Sequence, residues 1–312
     1  MFRKSRSARS NCTGYLSFTI RFMADRQSGF RVVRERKLVE LLPAPQYGGV
    51  LEASGVVVKD GRYIVVFDNV RRVAQVDPSL APGSADHSWL GRLRQGEGYE
   101  DIAYSSHLRR FYALIEAEKH PDGTYKAIIE EFDEQFRYKG RGRVDVSFET
   151  RNRGFEGLTA VRSNGADYLL ALCEGNEGRG GIRGRTPGGG RIHVLQKRGA
   201  GWQSTAQIRL PSSLDFKDYS ALALRGDRLA VVSQKSARMW IGKLRLRSWT
   251  IDDDGRSYDF PRNAQGKRLY CTVEGVDWLS PTTFVMVSDL RKKGYPDRCS
   301  GTDQSIHIFR LL

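Results

Sequence analysis

The residues best suited to chemistry in this 312-residue chain recur in two kinds of place. The first is a short phrase built around a carboxylate and a small residue: Glu100-Asp101, Glu156-Gly157 and Glu274-Gly275, with Ser54-Gly55 and Ser220-Ala221 in the corresponding positions of two further copies. The second lies 14 to 18 residues later, where an apolar run ends in Asp68, Glu116, Glu174, Gln234 or Asp289. Just beyond each of these come cations: Arg71, Lys119, Arg179, Lys235 and Arg291, several with a second Arg or Lys close by. Grouped carboxylates supply the hard oxygen ligands that calcium prefers, and one of them can carry a proton during hydrolysis. Arg and Lys outside such a group can hold an anion. On this pattern Glu156 and Glu274 are candidate catalytic bases, and Glu100, Asp101, Glu174, Glu116, Asp289 and Asp68 are candidate metal ligands. Lys235, Arg291, Arg179, Lys119 and Arg71 are candidates for binding an anionic substrate. The same residues have a plain structural reading, in which the acids accept backbone hydrogen bonds in a recurring turn and the cations are solvated.

Other chemistries find little support. Five His are scattered at 87, 107, 120, 193 and 307 without an H-E-x-x-H pair, and no G-x-S-x-G elbow marks a serine nucleophile. His193 and His307 read as packing residues in strands. The stretch from Gly175 to Gly190 holds eight glycines with Arg179, Arg183 and Arg185, but matches no nucleotide-binding fingerprint and reads as a mobile loop. Cys173 reads as a buried thiol. Cys271 and Cys299 both fall near the acidic phrases, and whether they pair is open.

The elements that must position these residues follow from the repeat. Taking residues 54, 100, 156, 220 and 274 as equivalent gives intervals of 46, 56, 64 and 54 residues, the spacing of four-stranded propeller blades with variable loops. Each phrase is followed by a continuous apolar, β-rich run such as Tyr63 to Phe67, Tyr168 to Cys173 or Phe284 to Ser288, as expected of a strand buried on both faces. Further strands are predicted over 125–132, 144–148, 191–196 and 207–210, and no segment carries a long, capped helical period. The fold class is therefore all-β, a β-propeller of five blades, with six open if the first fifty residues form a divergent copy. In a blade the first strand lines the channel and the second runs antiparallel to it, so the two sets of polar residues should meet at one channel mouth.

The last copy is short of one strand, which either 16–22 or 30–42 can supply to close the ring. Residues 1–29 read as an N-terminal extension, either partly outside a native start at Met23 or contributing one added strand, and 30–312 as a single propeller domain.

Composition narrows the partners. A formal charge of +15 draws in any polyanion, but residues 1–30 alone hold six Arg or Lys against one acid, and the five Trp do not alternate with basic residues as a nucleic-acid stacking platform would. An anionic small molecule is the expected ligand, with no nucleic acid, no membrane and a monomeric chain. No apolar run approaches the ~20 residues of a membrane span, and no apolar segment follows the basic N-terminus as in a secretory signal, so a cytoplasmic location is expected.

The phrases Phe155-Glu156-Gly157-Leu158-Thr159, Glu274-Gly275-Val276-Asp277-Trp278 and Val287-Ser288-Asp289 resemble those of bacterial propeller families described as phytase-like, or esterase-like, and of the related SdiA-regulated family. The resemblance spans about residues 50–312 through short motifs. It implies a central pocket that binds calcium and hydrolyses phosphoesters or esters. The alternative is a non-enzymatic propeller scaffold that recognises a protein loop or a glycan. Ser54 and the Ser220-Ala221 pair depart from the family phrase.

Overall fold

A computed structural model describes residues 29–43, 49–151, 153–180, 182–252 and 254–312. The chain folds into five antiparallel sheet units, here blades I to V. Blade I is Ala53–Lys59, Arg62–Phe67, Val73–Val76 and Ser88–Leu90; blade II is Asp101–Ser105, Arg110–Lys119, Tyr125–Phe132 and Tyr138–Phe148. Blade III is Phe155–Ser163, Ala166–Cys173, Arg191–Arg198 and Gly201–Arg209. Blade IV is Ala221–Arg225, Arg228–Ser233 and Arg238–Arg245, the last paired to both Thr250–Ile251 and Arg256–Asp259. Blade V is Val273–Ser280, Thr283–Ser288 and Ser305–Leu311, completed by Phe30–Lys37 from the other end of the chain. Blades II and III are also joined at their outer edges by one parallel pairing, Trp202 with Val144. The first strand of each blade packs beside the first strand of the next, and that of blade V beside that of blade I, so the ring is closed.

The core explains why each second strand is a continuous apolar run. Its successive side chains point to opposite faces, and both faces are covered by neighbouring blades. In blade V, Val285 and Val287 pack with Val65 and Phe67 of blade I, while Phe284 and Met286 pack with Ala230 and Val232 of blade IV. In blade I, Ile64 and Val66 turn the other way, to Ile102 and Phe111 of blade II. Two further clusters fill the gaps between blades II and III and between blades III and IV. A blade removed from the ring would expose both faces, which is why the repeat needs closure.

Closure uses 30–37 of the two segments expected to supply it; the candidate strand over 16–22 lies outside the described residues. Arg31 to Leu42, ambiguous in sequence, divides into a strand and the single helical turn Leu38–Leu41. Phe30–Lys37 pairs along Ser305–Leu311 with Glu35 opposite His307. Glu35 Oε2 is 2.7 Å from His307 Nδ1 and accepts a hydrogen bond from Tyr270 at 2.8 Å, while His307 Nε2 meets Ser288 Oγ at 2.8 Å. His307 is thus more than a packing residue: fully buried, it joins three strands of blade V. Burial alone would raise the Glu35 pKa, but the bonds to His307 and Tyr270 together with the nearby His307 and Lys37 charges outweigh it and lower it.

The described part of the glycine-rich stretch is organised around a buried side chain. Asn176 donates to the carbonyls of Gly184 and Phe216 at 2.9 and 2.8 Å and accepts from the Tyr219 hydroxyl at 2.9 Å. Gly175 and Gly184 both lie so close to the Arg179 carbonyl that a Cβ at either would fall within about 2 Å of it. Cys271 and Cys299 form a disulfide with Cα atoms 5.8 Å apart, and Cys173 is buried and free. No described helix is long and apolar enough to cross a membrane.

Candidate functional site: a carboxylate-lined channel mouth

The recurring phrase proves to be a β-bulge at the start of each inner strand. Ser54, Glu156 and Glu274 are extra residues in the pairing between first and second strands: Ala53 faces Phe67 and Gly55 faces Val66, Phe155 faces Cys173 and Gly157 faces Leu172, Val273 faces Ser288 and Gly275 faces Val287. In blades II and IV the N–H groups of Glu100 and Ser220 reach the carbonyls of Leu114 and Val232, the residues that pair with Asp101 and Ala221. A bulge redirects the side chain of its extra residue, here toward the mouth in the three blades that carry Glu. The glycine that follows serves packing. A Cβ on Gly55 would come within 2.6 Å of the Asp101 Cα, one on Gly157 within 3.0 Å of the Leu222 nitrogen, and one on Gly275 within 2.9 Å of the Gly55 Cα. Neighbouring inner strands meet at this level, so the acid before the glycine is presented where five strands converge.

The structure brings together Glu100, Glu156 and Glu274 from the bulges with Asp68, Glu116, Glu174, Gln234 and Asp289 from the second strands. Glu116 accepts from the Gly154 N–H at 3.0 Å. Glu174 accepts from Arg153 at 2.9 Å and from Lys235 at 3.2 Å. Glu274 accepts from Gln234 and, at 3.0 Å, from Lys292, whose ammonium also lies 3.4 Å from Asp289 Oδ2. Glu52, Asp68 and Asp289 place one carboxylate oxygen each within 4.8 Å of one another, a group that can hold a metal ion. Asp68 Oδ1 is buried there without a hydrogen-bond partner among the described residues.

Nine carboxyl groups, at residues 52, 68, 100, 116, 156, 174, 218, 274 and 289, therefore share the mouth with Arg153, Lys235 and Lys292. Burial and mutual repulsion make it costly to ionise all the acids together. Burial, then Asp289 and Glu274, push Asp68 up to about 10; burial and Glu274 push Asp289 up to about 8; burial pushes Glu116 up to about 7, with Glu174 adding to it. Glu100 and Glu156 are raised well above the carboxylate range by burial and their Glu neighbours. Burial works against the charge on Lys292 and Lys235, but the acids around them outweigh it and raise both.

Several expected site residues are elsewhere. Asp101 sits at the glycine position of its phrase and turns away from the mouth, its oxygens accepting from the N–H of Ile102 at 2.8 Å and, across the blade gap, of Leu158 at 2.7 Å. Asp277 does the same between blades V and I, accepting from Trp278 and Val58 at 2.7 Å each. Ser54 and Ser220 also bridge blades, donating to the carbonyls of Tyr99 at 2.5 Å and Val273 at 3.2 Å. Of the five cations expected to hold substrate, Lys235 alone bonds to a mouth carboxylate. Arg71 is buried, donates to the Glu97 carbonyl at 2.8 Å and lies 3.7 Å from Glu130, a fully buried acid that needs a countercharge. Arg179 pairs with Glu177 at 2.9 Å, and Arg291 holds its own loop through the Tyr295 carbonyl at 2.8 Å and Asp297 at 3.3 Å. Lys119 is exposed at the end of a strand that runs three residues past Glu116.

Glu52, Asp218 and Arg153 are site residues to which the repeat does not point directly, whereas Lys292 belongs to the run of cations that follows Asp289. Glu52 and Asp218 carry a legible signal, because each lies two residues before the Ser that replaces Glu in its phrase. The two blades that lack a bulge Glu supply an acid from two positions earlier.

The fold and the mouth define a β-propeller with a polar channel entrance. No protein-family model and no curated protein matches the sequence. Among solved structures the chain resembles the PQQ-bound aldose sugar dehydrogenase of Streptomyces coelicolor, at 12% identity and a TM-score of 0.50 over 92% of this chain and 99% of that one. A GH43 β-1,3-galactosidase matches at 12% identity and 0.50 over 91% of this chain and 60% of the other. The glutaminyl cyclase of Myxococcus xanthus matches at 11% and 0.47 over 92% and 98%. At such identities the likeness speaks for the propeller fold alone.

Proposed function

We propose that this propeller binds calcium at its carboxylate mouth and there hydrolyses a phosphoester or ester bond of an anionic small molecule, as the resemblance to phytase-like propellers implies. The observation that carries the reading is the grouping of Glu52, Asp68 and Asp289, together with the buried Asp68 Oδ1 that has no hydrogen-bond partner among the described residues. An all-oxygen set of hard, anionic donors fits calcium. A bound divalent ion would supply a more acidic water and polarise the ester. The protein's own contribution is to exclude bulk water and to hold protons: Glu156, raised by burial, keeps a proton that it can give to a leaving group. Glu274 fixes the position of Gln234, and Lys235 orients the anion.

The internal engagement of Arg71, Arg179 and Arg291 favours a second reading, a non-enzymatic propeller that uses the ion structurally and recognises a protein loop or glycan. One experiment separates the two. Melting temperature is measured with EDTA, calcium, magnesium and manganese, and hydrolysis of p-nitrophenyl phosphate and p-nitrophenyl acetate is assayed for the wild type, Glu156→Gln and Glu274→Gln. A calcium shift with activity lost in both variants supports the hydrolase; a shift without activity supports the scaffold; neither removes the metal.

The Cys271–Cys299 disulfide favours an oxidising compartment over the cytoplasm expected from sequence. Fractionation of the native host, with the protein in the reduced cytosol, would overturn that placement.

A further inference from the structure

We propose that Lys292 is a tethered cation that occupies the carboxylate mouth and is displaced when a divalent ion binds. This rests on the metal reading above and adds the means by which the site is gated.

Three observations carry it. The ammonium is 3.0 Å from Glu274 Oε1 and 3.4 Å from Asp289 Oδ2, and Asp289 is one of the three carboxylates of the candidate ion cluster. Lysine and ion therefore compete for one group, and an ion of charge +2 interacts with that group about twice as strongly as the ammonium at equal distance. The side chain has somewhere to go: it is 52% exposed, and a lysine stem can swing its compact charge into water. The backbone that carries it stays in place, because Arg291 N–H donates to Asp303 at 3.0 Å, the Arg291 side chain grips the Tyr295 carbonyl, and Cys299 is bound to Cys271. Displacement is thus a side-chain movement on a fixed loop.

The test uses the wild-type protein first. Its lysines are acetylated under limiting reagent in EDTA or in saturating calcium, and modification is measured residue by residue by mass spectrometry. Acetylation of Lys292 is expected to rise at least fivefold in calcium; an unchanged or lower rate overturns the proposal. Calcium is then titrated calorimetrically into wild type and Lys292→Met. About tenfold tighter binding by the variant is expected, and equal or weaker binding overturns tethering while leaving the metal site standing. If calcium, magnesium and manganese bind to neither protein and shift neither melting temperature, the metal reading fails and this proposal with it.

Discussion

Glu35 and His307, 272 residues apart in sequence, meet at 2.7 Å and close the propeller. The contact is the polar end of a strand pairing that gives blade V its fourth strand. Its loss would leave the Tyr270 hydroxyl and a buried imidazole N–H without their acceptor. Glu35→Ala should therefore cost about 1–3 kcal/mol for each stranded donor, read as a lower urea midpoint. Protease cleavage near residues 30–37 should accelerate in the variant, and an unchanged midpoint and cleavage rate would mean that the apolar pairing closes the ring unaided.

The aspartates Asp101 and Asp277 are predicted to be structural. Each accepts two backbone N–H groups, one of them from the next blade. Asp101→Ala and Asp277→Ala should each lower stability by about 1–3 kcal/mol per unpaired amide while leaving calcium affinity within about twofold. Loss of calcium binding in Asp101→Ala, with the fold intact by circular dichroism, would return that residue to the mouth.

Stability without metal should fall as pH rises. A carboxyl whose pKa is higher folded than unfolded keeps its proton where the unfolded chain has released it, so its contribution is full below about 4 and is lost as pH climbs through the folded value. Asp277 at about 6, raised chiefly by burial, Glu116 at about 7, Asp289 at about 8 and Asp68 at about 10 spread that loss over the neutral and alkaline range. Melting temperature in EDTA should decline steadily from pH 5 to 9. Calcium should flatten the decline above pH 7, since it favours the ionised forms of Asp68 and Asp289. A flat profile in EDTA would contradict the desolvated ring.

The disulfide closes a 28-residue separation and anchors the loop that carries Lys292. Cys271→Ser with Cys299→Ser should lose roughly 3–4 kcal/mol on a chain-entropy basis, seen as a melting temperature lower by several degrees. The same double variant should bind calcium differently from wild type, because Lys292 is no longer held at the mouth. Equal melting temperatures would mean that Arg291 and Asp303 hold the loop alone.

Much of the fold is legible because propeller geometry writes itself into sequence twice: as doubly buried second strands and as a phrase that recurs once per blade. Tyr63 to Phe67 and Phe284 to Ser288 look alike because each packs against two neighbouring blades. The convergence of Glu100, Glu156, Glu174 and Glu274 follows from the same repeat. Side-chain direction is less legible. Asp101 groups with Glu100 by adjacency, yet successive strand residues face opposite ways, and Asp101 occupies the interblade position that glycine fills in three other blades. The rim cations depart from expectation for a different reason: an Arg near the mouth is drawn to whatever buried acid is closest, as Arg71 is to Glu130, and that acid lies far away in sequence. Arg291 rather than Lys292 reads as the mouth cation of the last copy, a difference of one residue set by a loop without a repeat to guide it.

On the proposed reading Glu52, Asp68 and Asp289 hold a divalent ion at the mouth. Calorimetric titration of calcium into wild type, Asp68→Asn and Glu52→Gln tests it most directly. Saturable binding at one site is expected in the wild type, weakened at least tenfold in each variant while their circular dichroism is unchanged. Absence of binding in the wild type, or equal binding in all three proteins, would contradict it.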